Sequence, residues 1–233
     1  MLHWLKQKSP LLKANKKYFN GFDRQQSLKD YSFVVFDTEL TGLGSRRGEI
    51  ISIGAVKIKN LQISLGETFY TYVKPLRMRH TTATLIHKIT PEQLKDAPEV
   101  KEVLPEFLRF LGNSLLVGHC IDIDMKFLDK ICRKLYSGTL ANPTIDTMLL
   151  ARGYQGKLSG WYHDHGSVDK GYNLRTISQN FQLPVFEEHD ALGDAMQTAY
   201  LFLYLVKKFR SGGLETLMDL YQAGKAGKWA GEI

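Results

Sequence analysis

Tyr31-Ser-Phe-Val-Val-Phe-Asp37 concentrates β-branched and aromatic residues in a short run, the pattern of a buried strand, and Gly42, Gly44 and Gly48 follow as a turn. Two more strands are expected over Glu49–Lys59 and Ser64–Val73, with Asn60-Leu61 at a tight hairpin between them. The three form an antiparallel meander. After Pro75 the period becomes helical. Thr90, Pro91 and Gln93 make a capping box with proline at the first helical position. Val100, Val103, Leu104, Phe107, Leu108 and Leu111 then draw an apolar stripe along one helix, which Pro105 should bend or split.

Leu115–His119 reads as a strand, and Phe127, Leu128, Ile131 and Leu135 as the inner face of the helix after it. A short strand near Ile145 leads into a helix starting near Asp146, which caps it. Residues 152–172 hold five glycines with Trp161, His163 and His165, the composition of a mobile loop. Asn173–Phe181 and Asp190–Phe209 are helical, and a last helix over Leu214–Tyr221 is expected before a frayed tail. Antiparallel strands followed by strands alternating with helices imply an α/β fold with a mixed sheet flanked by helices.

The chain has 233 residues, 43% of them hydrophobic, enough for one cored domain. No stretch reaches the roughly 18 apolar residues of a membrane span, and no apolar leader with a cleavage site is visible. Two cysteines, Cys120 and Cys132, supply neither a disulfide framework nor a zinc cage. A cytoplasmic protein with no membrane partner is expected. The formal charge is +7 and the pI about 9.2. Residues 1–30 carry seven basic and two acidic side chains, so +5 of that charge sits there. A solvated leader and an arm following a nucleic-acid backbone fit this basic extension equally well. The expected organisation is therefore an extension over 1–30, a core domain over 31–210, and a C-terminal helix with its tail over 211–233.

Asp37 and Glu39 end the first strand and, two residues apart, share a face. Asp124 stands near the start of the helix bearing Phe127, where an aspartate also serves as a cap, as does Asp122. Asp194 lies in the first turns of the long C-terminal helix among Ala191, Ala195 and Ala199, whose small size permits close approach to the sheet. His189 just precedes that helix. Each acid alone has an ordinary explanation at a strand or helix end. Together, oxygen-only ligands at Asp37, Glu39, Asp124 and Asp194 suit Mg²⁺ or Mn²⁺ and not zinc. Carboxylates gathered at strand and helix ends are what two-metal phosphodiester hydrolysis needs, and a histidine titrating near neutrality is the natural acceptor for the proton of the attacking water.

Phe36-Asp-Thr-Glu-Leu-Thr-Gly-Leu43, Val117-Gly-His-Cys-Ile-Asp-Ile-Asp-Met-Lys-Phe-Leu128 and His189-Asp-Ala-Leu-Gly-Asp-Ala195 resemble, in order, the three motifs of the DEDDh family of 3′→5′ exonucleases. That family includes the proofreading epsilon subunit of bacterial DNA polymerase III and ribonuclease T. Leu85-Ile-His-Lys-Ile-Thr-Pro91 resembles a further family element, and the likeness spans about residues 31–208. The resemblance implies a ribonuclease H-like fold with a five-stranded mixed sheet. It implies two Mg²⁺ or Mn²⁺ ions: Asp37, Glu39 and Asp194 hold one, while Asp37 contacts and Asp124 supports the other. His189 is then the general base. Leu40, Thr41, Gly42 and Leu43 match the stretch that cradles the terminal nucleotide, and His87 lies near it in relatives.

Three positions depart from the family pattern. Cys120 stands for a usual Asn, Ile123 for a usual aromatic, and Lys88 for a common glycine. Gln182–Phe186 resembles a sliding-clamp peptide, although relatives pack a similar Leu/Pro segment there. Trp161 and Tyr162 are candidates for stacking on bases. The expected activity is release of nucleoside 5′-monophosphates from single-stranded or frayed DNA 3′ ends, with a polymerase or other replication or repair protein as partner. An RNA-trimming or short-oligonucleotide enzyme with the same site is one alternative, and a non-catalytic polymerase-associated binding module is another.

Overall fold

A computed structural model describes residues 9–44, 48–77, 82–158, 172–186 and 189–229. Its elements, in chain order, are α1 (Pro10–Phe19), a 3₁₀ turn (Leu28–Asp30), β1 (Phe33–Leu40), β2 (Ile50–Lys59), β3 (Gln62–Tyr72), α2 (Thr82–His87), α3 (Pro91–Leu94), α4 (Val100–Leu111), β4 (Leu115–Gly118), α5 (Asp122–Tyr136), β5 (Thr144–Asp146), α6 (Thr147–Leu158), α7 (Leu174–Asn180), α8 (Ala191–Ser211) and α9 (Leu217–Trp229). The sheet has five strands in the order β3-β2-β1-β4-β5. β1, β2 and β3 pair antiparallel, and β4 and β5 add parallel to β1. This is the mixed sheet expected from the hydrophobic pattern. The hairpin between β2 and β3 turns through Asn60 and Leu61, both left-handed at φ 52° and 57°, the twist a two-residue turn needs.

Alternation along β1 divides the interior into two layers. Phe33 and Val35 join Val56, Ile58, Leu115 and Val117 beneath α6, α8 and α9, with Phe202, Leu205 and Leu220 buried over them. Val34 and Phe36 face the other way, onto Phe107, Leu111, Phe127 and Leu128 of α4 and α5. Each of these large side chains contributes roughly 1.5–3 kcal/mol by burial. Asp37 and Glu39 continue the Phe33–Val35 series and so emerge on the α8 side, at the strand's carboxyl end.

α4 runs unbroken through Pro105, so the expected split does not occur. Its N-terminus is closed by a box in which the Glu99 side chain accepts from the Glu102 amide and the Glu102 side chain from the Glu99 amide, while the apolar stripe holds the helix against the sheet. The capping box at Thr90 and Gln93 forms as expected. α6 continues to Leu158 where a loop was expected from residue 152, and α9 reaches Trp229 where fraying was expected after Tyr221. Trp161, Tyr162, His163 and His165 lie outside the described residues.

Residues 9–30 are no solvated leader. Leu12 and Asn15 of α1 are buried. The Asn15 amide donates to Asn142 Oδ1 at 2.6 Å and to the Gly112 carbonyl at 3.3 Å, and its oxygen accepts the Ala141 amide at 2.8 Å. Farther along, the Leu28 amide bonds the Glu215 carbonyl and the Met218 amide the Arg24 carbonyl, tying this segment to the start of α9. Asn15→Ala strands the Asn142 and Ala141 groups and should cost about 1–3 kcal/mol in urea unfolding. An unchanged midpoint would mean that α1 does not hold to the body through this amide.

Candidate active site

β1 delivers Asp37 and Glu39 and α8 delivers Asp194, and what brings them together is Gly54. In the β1–β2 register Gly54 lies opposite Asp37, with its missing side chain on the same face. A Cβ there would stand 2.2 Å from the Ala191 carbonyl carbon and the Leu192 nitrogen. The first turn of α8 therefore rests on bare β2 backbone, beside the carboxylates of β1. The Asp190 carboxylate caps that turn by accepting the Gly193 amide at 2.9 Å. His189, left-handed at φ 63°, donates its amide to Asp194 Oδ2 at 3.0 Å.

One ligand atom from each of Glu39, His189 and Asp194 lies within 4.8 Å of the others. Glu39 is buried, Asp194 half-buried and His189 exposed, which opens the group to solvent on one side. Asp37 is close enough that, after burial, the neighbouring charges of Asp124, Asp194, Glu39 and Asp190 drive its pKa well above the carboxylate range. Burial followed by Asp194, Asp124 and Asp190 pushes Glu39 up to about 7.

Asp124 comes from α5, on the opposite side of the sheet, and reaches over the end of β1. It does not cap its own helix. Its Oδ1 accepts the Thr38 amide at 3.0 Å and the Thr38 hydroxyl at 2.5 Å. Burial raises its pKa to about 7 against the pull of these bonds. Asp146 is engaged elsewhere, accepting the amides of Met148 and Cys120 at the start of α6, which is the capping role expected of it.

The flanking residues divide by exposure. Leu40 is buried in the α4–α5 layer, the Thr41 hydroxyl accepts the Glu49 amide at 3.1 Å, and Leu43 is 74% exposed. His87 is buried, its Nδ1 accepts the Ile89 amide at 3.0 Å, and its Nε2 has no partner among the described residues. Burial, then the nearby His189, lowers its pKa. The sequence marked His87 only through the motif around it; the unsatisfied nitrogen appears only in the folded molecule.

Two family departures fall on left-handed backbone: Lys88 at φ 57° after α2, and Cys120 at φ 58° between β4 and α5. Those are positions that glycine or asparagine adopts with least strain. The third, Ile123, is 40% exposed. Leu183 packs against the α8 layer, and the Phe186 amide donates to Gln197 Oε1 at 3.0 Å, so much of the clamp-like segment is used in packing.

The donor set fits a divalent cation. Hard carboxylate oxygens converge here, each raising the pKa of its neighbours. The raised pKa values set the sign of a linkage. In the ion-free protein the fold favours the protonated carboxyls, so their stabilising contribution is complete below about pH 4 and is lost as pH rises through 7. A divalent ion takes the deprotonated forms. The rise in Tm on adding Mg²⁺ should therefore be small near about pH 5.5 and reach about 5–10 °C near pH 8 at roughly 100 times Kd. Equal gains at both pH values in thermal melts would disconnect these carboxyls from ion binding.

Comparison with known proteins places this geometry in a family. A model of the exonuclease family RNase_T matches residues 34–202. The chain is 36% identical over 188 residues to the PolC-type DNA polymerase III of Caldanaerobacter subterraneus subsp. tengcongensis, covering 81% of this chain and 12% of that protein, so it spans about one-eighth of its curated relatives' length. Among solved structures, exonuclease X in complex with 5′ overhanging duplex DNA aligns at a TM-score of 0.59 and 23% identity over 82% of this chain and 99% of that one. The nuclease domain of 3′hExo, a DEDDh family member bound to rAMP, aligns at 0.62 and 20% over 78% and 94%. These neighbours share the five-stranded, helix-flanked ribonuclease H-like fold. With its matched region running from β1 into α8, across the carboxylates and the histidine, the chain belongs to the RNase_T exonuclease family.

Proposed function

We propose that this chain is a Mg²⁺- or Mn²⁺-dependent 3′→5′ exonuclease that releases nucleoside 5′-monophosphates from single-stranded or frayed DNA ends. The observation that carries the reading is the meeting of Glu39, His189 and Asp194 within 4.8 Å beside the strongly perturbed Asp37. Asp37, Glu39 and Asp194 would hold one ion, and Asp37 and Asp124 a second. When bound, the ions supply Lewis acidity at the scissile phosphate and charge balance at the leaving oxygen. His189, exposed at the rim with its backbone anchored on Asp194, takes the proton of the attacking water at a ring nitrogen. Thr38 positions Asp124 by its two hydrogen bonds. Leu43, exposed at the rim, offers an apolar edge to the base of the terminal nucleotide, and His87 lies buried with its Nε2 unpartnered among the described residues.

A DNA end is favoured because the polymerase relatives are DNA polymerases and exonuclease X is solved on duplex DNA. The same relationship supports a replication or repair polymerase as partner. No helix among the described residues is long and apolar enough to cross a membrane.

The test uses the full chain with 5′-labelled DNA and RNA of matched sequence. Shortening from the 3′ end with Mg²⁺, monophosphate products, and arrest by a chelator are expected, faster on DNA. Faster trimming of RNA would move the assignment to the alternative substrate, and no release with either ion would leave a binding module. His189→Ala should lower turnover by about 10²–10⁴-fold while the Mg²⁺-induced rise in Tm persists. If turnover held, another group would be the proton acceptor.

A further inference from the structure

At the end of the sheet where β1 and β4 begin, a polar cavity of about 300 Å³ opens between the last turn of α1, the segment leading to β1, and the turn before β4. It lies across the sheet's length from the catalytic cluster, since Ser32 borders it and Asp37 is roughly 15 Å of extended strand away. Three aromatic rings wall it. Tyr18 and Phe22 have centroids 6.2 Å apart, and Phe22 and Tyr31 5.5 Å. The Tyr31 hydroxyl donates to the Asp23 carbonyl at 2.9 Å and fixes that segment over the opening.

Two carboxylates complete the wall, Asp23 and Asp30. Asp23 Oδ1 accepts the Gln25 amide at 2.8 Å, which leaves its other oxygen open. Neither acid is ion-paired with a Lys, Arg or His among the described residues, although cations outnumber acids seven to two in residues 1–30. Burial, and then the charges of Asp23 and Asp30, raise the Tyr31 pKa, so both acids lie close to the same ring hydroxyl. Ser114, 6% exposed, also lines the cavity. Its amide and carbonyl are bonded to Leu111 and Asn142, and its hydroxyl has no partner among the described residues.

This combination selects a ligand by charge and shape. Two exposed carboxylates beside aromatic rings repel phosphate and attract cations. The lining mixes carboxylates and hydroxyls with aromatic rings, a set that an organic cation satisfies together, whereas a hard metal ion takes oxygens alone. We propose that the cavity binds an alkylammonium or guanidinium group, supplied by a Lys or Arg side chain of another protein or by a free polyamine. The site is independent of the hydrolytic reading, because none of its residues belongs to the catalytic cluster.

The test is a backbone NMR titration of the full chain with acetyl-lysine methylamide, acetyl-arginine methylamide and 1,4-diaminobutane, and with acetyl-norleucine methylamide as the neutral analogue. Signals of residues 22–31 and 113–114 should move with the cations and stay still with norleucine. Tighter binding of a blocked amino acid identifies a protein side chain as the source, and tighter binding of the diamine identifies a polyamine. The Asp23→Asn/Asp30→Asn variant keeps the acceptor for the Gln25 amide and should weaken binding by about tenfold or more, with nucleotide release unchanged. Phe22→Leu, which removes one ring face and leaves both acids, should weaken it about three- to fivefold. Stationary signals at these residues with all three cations, equal shifts from norleucine, or full affinity in the double variant would overturn the proposal.

Discussion

Asp37→Ala and Asp194→Ala should each lower nucleotide release by about 10³-fold or more while leaving the fold intact. The expectation follows from how these side chains stand. Burial, and then four neighbouring acids, raise the Asp37 pKa, so its carboxylate form destabilises the ion-free molecule. Removing it relieves repulsion, and the ion-free variant should melt at or above the parent's temperature near pH 8. Loss of activity with retained or increased stability is the signature of a group kept for chemistry. Asp194 differs in one respect, since its Oδ2 also accepts the His189 amide. Asp194→Asn keeps that acceptor and should be as inactive as the alanine variant if the negative charge matters, or recover activity if only the hydrogen bond does. Near-normal turnover in Asp37→Ala would remove the basis for assigning the cluster to hydrolysis.

Gly54→Val should be the most damaging substitution outside the cluster itself. Any Cβ at this position meets backbone atoms of Ala191 and Leu192 at about 2.2 Å, and backbone at a helix start has no rotamer by which to move away. Overpacking of this kind costs about 1–3 kcal/mol or more, and a strand or a helix must shift to accommodate it. Because α8 carries Asp194 and follows His189, any such shift separates them from Glu39 on β1. Gly54→Ala should already lose most activity, and Gly54→Val should add a clear fall in thermal stability, measured by calorimetry beside the nuclease assay. Full activity in Gly54→Ala would show that the start of α8 can lift off the sheet without disturbing the site.

Much of the site could be read in the chain before folding. Asp37 and Glu39 declared a shared face by their spacing, and the hydrophobic run before them declared a buried strand. Thr90 and Gln93 announced a helix start by local chemistry alone, and the fold agrees. Pro105 does not split α4 because its effect depends on the rest of the helix: a stripe of five buried residues keeps it in one piece. The N-terminal segment misled for a related reason. Its charge was conspicuous, while the residues that dock it, Leu12 and Asn15, are ordinary ones whose partners lie far along the chain at Gly112, Ala141 and Asn142. The extent of α9 was missed because its Gly, Ala and Lys content has weak periodicity, and what holds its first turns is burial of Leu217, Leu220 and Ala223 against the α6 and α8 layer.

The sequence by itself determined the five strands and most of the helices packed on them, which face of each is apolar, and which acids are available to a cation, because these depend on periodicities of two and about 3.6 residues within single segments. Tertiary structure alone decided that Glu39, His189 and Asp194 meet, that Asp124 is held from across the sheet by Thr38 instead of capping its helix, and that the nitrogen of His87 is left without a partner. Those outcomes turn on which backbones approach closely enough to touch. Here that was set by a missing side chain at Gly54, whose significance no neighbouring residue could reveal.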